Sequence, residues 1–336
     1  MNRNKIRFLI CFTGILTVII FCLGMTVGRF YIPITTFIKI FFSKIFNIET
    51  TWTKNMENVI WTVRFPRLLG AILIGGGLSL AGTTYQGIFK NPLVSPDLLG
   101  VSAGACVGAS IGIILETSYI LIQLFAFVGG ILAVILTTII PKLFKNHSNL
   151  ILVLSGIIIG GFFSSIQGLL KYIADPETQL ATITYWTMGS LAKINMKDIC
   201  FVAPAIIIAG LLLIFLRWRI NILSLGEKEA KSLGINVEQL RGVAIICSTI
   251  LTASSICLAG TIGWIGLVIP HLGRLLVGSD NRYLIPISTF LGASFLIVVD
   301  TLARNINGSE IPISLLTGFI GTTLYTWLLI KQHTKI

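Results

Sequence analysis

Charge is what this chain has least of. Of its 336 residues only 11 % are Asp, Glu, Lys or Arg, and only 13 are acidic. A water-soluble protein of this length needs far more polar surface, so a soluble catalytic domain is excluded. Histidine is nearly missing too. His147, His271 and His333 lie far apart without H-E-x-x-H spacing, which argues against a histidine-built metal site. The six cysteines (Cys11, Cys22, Cys106, Cys200, Cys247 and Cys257) form no C-x-x-C pair and sit in apolar segments. They read as small buried hydrophobes, with neither a disulfide framework nor a metal site. No G-x-x-x-x-G-K-[ST] occurs, so the chain cannot cradle ATP phosphates by itself. Acids inside apolar runs are almost absent. Asp300 is the clear candidate, and Arg304 four residues later offers an internal ion pair. A proton-driven carrier, which places acids in mid-span, therefore lacks parts. No cofactor is expected.

What is present in abundance is apolar chain. The hydrophobic fraction is 54 % and the mean hydropathy is +0.91. Apolar runs of about 20 residues recur, the length that crosses a hydrocarbon core as a helix. The expected fold class is an all-α polytopic membrane protein, one transmembrane domain over 1–336 with about ten spans. The spans are expected near 8–28, 61–86, 97–115, 119–140, 149–171, 198–216, 240–259, 263–277, 284–302 and 311–330. Ten spans put both termini on one side. The net charge of +12 reads as topology rather than nucleic-acid binding, because Lys and Arg gather on the cytoplasmic side. Arg3, Lys5 and Arg7, the basic loop from Lys142 through Lys145 to His147, Arg217 to Arg241, and Lys331 with Lys335 all fall there.

One stretch breaks the apolar pattern: RWRINILSLGEKEAKSLGINVEQLR, from Arg217 to Arg241. Ser224 and Glu227 have the S-x-x-E spacing of a capping box. Glu227 and Lys231 are spaced i,i+4 in the favourable order. Gly234 is placed to end the helix in the left-handed conformation, and Asn236 with Gln239 opens the next. Leu225 and Leu233 put apolar anchors on this small polar helix. Such a piece between spans is either a solvated loop or a docking surface for a soluble partner. Arg217, Arg219 and Arg241 read as anchors at the membrane surface.

Three further features stand out. Gly100, Gly104, Gly108 and Gly112 recur every fourth residue, the small face that lets helices approach closely in lipid. The same stretch holds a formal G-x-S-x-G around Ser110, but a nucleophile elbow needs a strand-to-helix turn, and a glycine-faced helix offers none. Gln86 to Gly100 contains Pro92 and Pro96 with Asp97 as a helix cap, a stiff turn that re-enters as helix. It is an ordinary connector or the inner mouth of a pathway. Arg64, Arg67 and Arg304 lie at outer span ends, where arginines snorkel or meet an acidic partner.

Taken in order, these stretches resemble the FecCD-type permeases, the membrane subunits of ATP-driven importers of iron–siderophores, haem and vitamin B12. The matching text is Arg64-Phe-Pro-Arg67-Leu68, Gln86-Gly87 with Asn91-Pro92-Leu93, and Pro96-Asp97-Leu-Leu-Gly100-Val-Ser-Ala-Gly104. It continues with Tyr185-Trp-Thr-Met-Gly189, Ser224 to Gly234, Gly263-Trp-Ile-Gly with Pro270-His271, and Asp300 to Arg304 with Glu310-Ile-Pro312. The resemblance implies a ten-span permease with cytoplasmic termini, paired with a second copy or a paralogue. It implies two cytoplasmic ATP-binding subunits, an extracytoplasmic solute-binding protein and a bacterial cytoplasmic membrane as partners. ATP hydrolysis would rest with the separate subunit. By resemblance, Ser224, Leu225, Gly226, Glu227, Glu229, Ala230, Leu233 and Gly234 couple to the ATPase. Arg64, Arg67 and Arg304 dock the binding protein, and Asn91, Pro92 and Leu93 form the cytoplasmic gate. An iron(III)-siderophore is the expected cargo, with haem or vitamin B12 as alternatives.

Overall fold

The computed structural model describes residues 3–144, 149–306 and 310–333. Lys145, His147 and Lys335 of the basic clusters lie outside them, as does the side chain of Arg3. In order the helices are α1 (Arg3–Thr26), α2 (Ile34–Phe42), α3 (Lys54–Asn58), α4 (Phe65–Phe89), α5 (Val101–Ile114), α6 (Tyr119–Leu143) and α7 (Asn149–Ile173). Then come α8 (Gln179–Met188), α9 (Met196–Leu225), α10 (Glu227–Ser232), α11 (Val237–Ala259), α12 (Ile265–Val277), α13 (Asn281–Asn305) and α14 (Ile313–His333). A π-helical turn (Val59–Arg64) leads into α4, and a 3-10 turn (Pro96–Leu99) precedes α5. No strand occurs among the described residues.

Among the described residues, seven helical segments are long and apolar enough to cross a membrane, and α5, α12 and the first part of α14 are shorter apolar helices. Burial separates the seven. The apolar stretches of α4 and α11 are 83 % and 78 % buried, whereas those of α1 and α7 are each 22 % buried. The first pair therefore forms the centre of the bundle, and the second pair presents its side chains outward. Helix α4 packs against α13, α11, α9 and α12. Small residues allow this: a Cβ on Gly82 would strike the Gly266 carbonyl, and one on Gly75 the Gly292 carbonyl. Close backbone approach of this kind drives association where hydrophobicity cannot.

Two expected spans are corrected. The third does not run as one helix from Asp97. Gly100 sits at φ +79, so the chain makes a 3-10 turn, breaks in the left-handed region only glycine enters freely, and restarts as α5 at Val101. Helix α5 is then about 21 Å long, short of a hydrocarbon core. The sixth does not stop near 216. Helix α9 runs on to Leu225, because no Gly or Pro interrupts the chain between 216 and Gly226.

Two of the longer segments between the expected spans are partly ordered. Residues 29–60 contain α2 and α3, held by an aromatic cluster in which Phe41 stacks on Trp61 and both meet Phe65. The connection 174–197 contains α8.

Candidate functional site

One end of the bundle gathers three connections: the α9–α10–α11 turn, the turn after α4, and the α12–α13 turn. Asn281 N–H donates to Asn221 Oδ1 at 2.8 Å, tying the start of α13 to the end of α9.

Here the capping-box expectation fails. Ser224 lies inside α9, and its hydroxyl donates to the Asn221 carbonyl at 2.7 Å, three residues back. Gly226, in extended backbone, opens α10 instead. Glu227 is thereby free of the cap. It does not meet Lys231; it pairs with Arg241 at the start of α11. Arg241 is buried, so it straps α10 to α11 rather than anchoring to the membrane surface. Other expectations stand. Gly234 takes φ +75 after α10, and Asn236 Oδ1 accepts the Gln239 N–H at 3.1 Å to open α11.

The faces of α10 divide sharply. Ala230 is fully buried, and its carbonyl accepts the Ile235 N–H at 3.0 Å. Glu227, Lys228, Glu229 and Lys231 are exposed. Leu225 and Leu233 are not anchors within the chain: they are 70 % and 63 % exposed and flank the helix. The result is a short, strapped helix with a charged outer face between two unpartnered leucines.

Beside it, α4 ends at Lys90 in the left-handed region. Asn91 Oδ1 accepts the Leu93 N–H at 2.9 Å, closing a tight turn that carries Pro92. The Gln86 amide donates to Val94 O at 3.1 Å and Gly266 O at 3.3 Å, bolting the turn to α4 and α12. Leu93 protrudes from this rigid frame, 62 % exposed.

The opposite end holds the arginines, and all three are buried within the chain. Arg64 donates to the carbonyls of Met25 (2.5 Å), Thr26 (3.0 Å) and Phe30 (2.5 Å). It thereby closes the open end of α1. Arg67 bridges Asp300 and Glu310, each at 2.7 Å. Arg304 lies 3.2 Å from the other Asp300 oxygen and donates to Gly24 O at 3.3 Å. The Asp300–Arg304 pair read from the sequence is therefore one edge of a four-residue network, two cations with two carboxylates. Burial of an ion pair is tolerated when the geometry is good and remaining groups are bonded.

Gly104 and Gly108 lie against the backbone of α6, and Gly112 against Ile122, whereas Gly100 faces Gly160 of α7. The Ser110 hydroxyl is bonded to the Gln167 amide of α7, with no base beside it. Among the described residues, no group of three His, Cys, Asp or Glu could hold a metal. His271 packs edge-on against Tyr325 of α14, with ring centroids 5.7 Å apart. Asp97 is not a cap. Its side chain accepts from the Ser102 hydroxyl, and it stays exposed. Nothing local in the sequence signalled that exposure.

Comparison with known proteins joins these ends into one picture. The FecCD transport family matches residues 16–331. The molybdate import permease MolB of Haemophilus influenzae is 37 % identical over 94 % of each chain. A probable iron chelatin permease of Helicobacter pylori is 39 % identical over 83 % of this chain and 84 % of that one. Among solved structures, an inward-facing metal-chelate-type ABC transporter superposes with a TM-score of 0.87 at 35 % identity, covering 97 % of this chain and 99 % of that one. Family, relatives and fold agree: the chain belongs to the FecCD transport family, the permeases of ABC importers.

Proposed function

We propose that this permease moves an iron(III)-siderophore across a bacterial cytoplasmic membrane after delivery by a solute-binding protein. The observation that carries the reading is α10, a charged helix between two exposed leucines in a chain otherwise short of charge. A solvated loop needs no exposed Leu225 and Leu233, whereas a groove on a soluble partner would cover them. The missing P-loop makes that partner an ATPase.

In this reading the single domain crosses the membrane ten times with both termini in the cytoplasm. It pairs with a second copy or a paralogue around a central path, with two ATP-binding subunits below. Residues 224–234 couple to the ATPase. ATP closes the ATPase pair, and the strap from Glu227 to Arg241 carries that motion into α11, at the bundle centre. Asn91, Pro92 and Leu93 gate the inner mouth, their rigid turn holding Leu93 forward. Arg64, Arg67 and Arg304 form the outer docking patch.

Haem and vitamin B12, which name two further relatives, stay alternatives, and molybdate joins them. The H. influenzae relative is named for molybdate and the H. pylori one for iron chelatin, so molybdate is the second reading. Growth of a deletion strain on single iron sources and on limiting molybdate separates them.

The coupling reading is tested by co-purification with the ATPase. Ala230 is a poor probe because it is buried and a bulkier residue would disturb the fold. Leu225→Asp with Leu233→Asp leaves the interior intact. The double variant is expected to purify as a monodisperse chain that has lost the ATPase. Full ATPase retention would refute α10 as the coupling element. An active chain that never carries an ATPase would favour a proton-coupled carrier.

A further inference from the structure

A polar pocket of about 470 Å³ lies between the start of α5, the middle of α7 and the broken segment before α12, with the start of α14 closing one side. Its polar lining is Asp97, Ser102, Ser164, Thr261, Trp264 and Ser314. None of the lining residues is basic.

Depth comes first. The Leu98 carbonyl lies against Gly156 and the Gly100 backbone against Gly160. These glycines are seven and eleven residues into the 25-residue α7, which is roughly 10 to 17 Å from its end at 1.5 Å per residue. Asp97 is therefore well inside the span, and it is exposed. Hydrocarbon does not accept an exposed carboxylate at that depth. The surface it faces is therefore closed off from lipid, as the wall of an aqueous path is.

Chemistry comes second. Ser102 donates to Asp97, Thr261 to the Thr187 carbonyl, and Ser314 to the Met188 carbonyl at 2.6 Å. Three of the four hydroxyls have spent their protons on the protein, so they have lone pairs left to offer. Together with the carboxylate this makes an acceptor wall. Trp264 adds an aromatic face. It is 38 % exposed and sits at φ +70, a conformation costly for a bulky residue and one that gathers at functional sites. A carboxylate, acceptor oxygens and an indole suit cations and hydrogen-bond donors, and repel oxyanions.

We infer that this pocket is a cargo contact in the translocation path, built for a positively charged or donor-rich group such as an ammonium or amide, and against an oxyanion. The inference rests on the importer reading for the word cargo, but its test does not need an ATPase. Ser164 is exposed and outside the acceptor set, so Ser164→Cys in the full chain in membranes serves as the probe. It is treated with the trimethylammonium-ethyl and the sulfonato-ethyl methanethiosulfonate, and labelling is read on the peptide bearing residue 164. The cation-to-anion rate ratio, divided by that of a free thiol, is expected to reach at least about fivefold, the aqueous Coulomb value for unit charges roughly 8 Å apart. Adding Asp97→Asn is expected to return the ratio to that of the free thiol. A ratio near one, an anion preference, or a ratio unmoved by Asp97→Asn overturns the inference. So does protection from both reagents that Ser314→Cys shares, in variants that stay monodisperse. Loss of the ATPase in co-purification with the charge preference intact would sink the importer reading alone.

Discussion

At the scale of single residues, Asp300 decides more than its neighbours suggest. It is fully buried, and its two oxygens meet Arg67 of α4 and Arg304 of its own helix. Removing one partner leaves a buried charge uncompensated, at a cost of about 3–5 kcal/mol. Asp300→Asn is therefore expected to lower the melting midpoint in detergent sharply. Replacing the pair together, as Asp300→Leu with Arg67→Met, is expected to cost less than the two single changes summed, because neither of the two is then left facing a missing partner, while Arg304 and Glu310 lose theirs in the single and double variants alike. A strictly additive double variant would show that Arg67 and Asp300 do not act as a pair. The i,i+4 spacing of Asp300 and Arg304 was legible in the sequence. Arg67 was not, since it lies 233 residues away.

At the scale of elements, the glycines sort into two kinds that the sequence does not distinguish. Gly82 opposes the Gly266 backbone where α4 crosses α12, whereas Gly242 on α11 has nothing near it. Gly82→Ala forces the two helices apart, and overpacking of this type costs about 1–3 kcal/mol. Gly242→Ala meets no atom and gains helix propensity of up to about 1 kcal/mol. Thermal unfolding of the two variants is expected to move in opposite directions; equal shifts would mean that the α4–α12 crossing is not packed through glycine. The same scale shows why the capping box was misread. S-x-x-E is a local pattern, and it forms only if the chain leaves helix at Ser224. Helix α9 continues through that position, so the serine turns to the carbonyl behind it and Glu227 finds Arg241 instead.

At the scale of the whole molecule, the two ends differ in what they leave outside. The α10 end presents charge and two leucines, whereas at the other end the three arginines are consumed within the chain. Their buried, shared bonds bear on how the docking proposal is tested. Reversing their charge would set an acid beside Asp300, so Arg64→Gln with Arg304→Gln is the cleaner pair. If their positive charge draws the binding protein, capture on immobilised transporter falls at least about tenfold and the salt dependence of wild-type capture flattens. Unchanged capture by a variant that still carries its ATPase would remove these arginines from docking.

The amino-acid sequence by itself determined the membrane class, the positions of most long helices, the polar break at 217–241 and the family, all of which rest on composition, short-range periodicity and ordered motifs. Tertiary structure alone decided who meets whom: Arg64 with the end of α1, Arg67 with Asp300 and Glu310, Glu227 with Arg241, and Asp97 with an open polar pocket. The reason is physical. Helix formation and membrane partition are set within a few turns of chain. The partner of a buried charge is set by which helices the bundle brings side by side, and no local pattern carries that information.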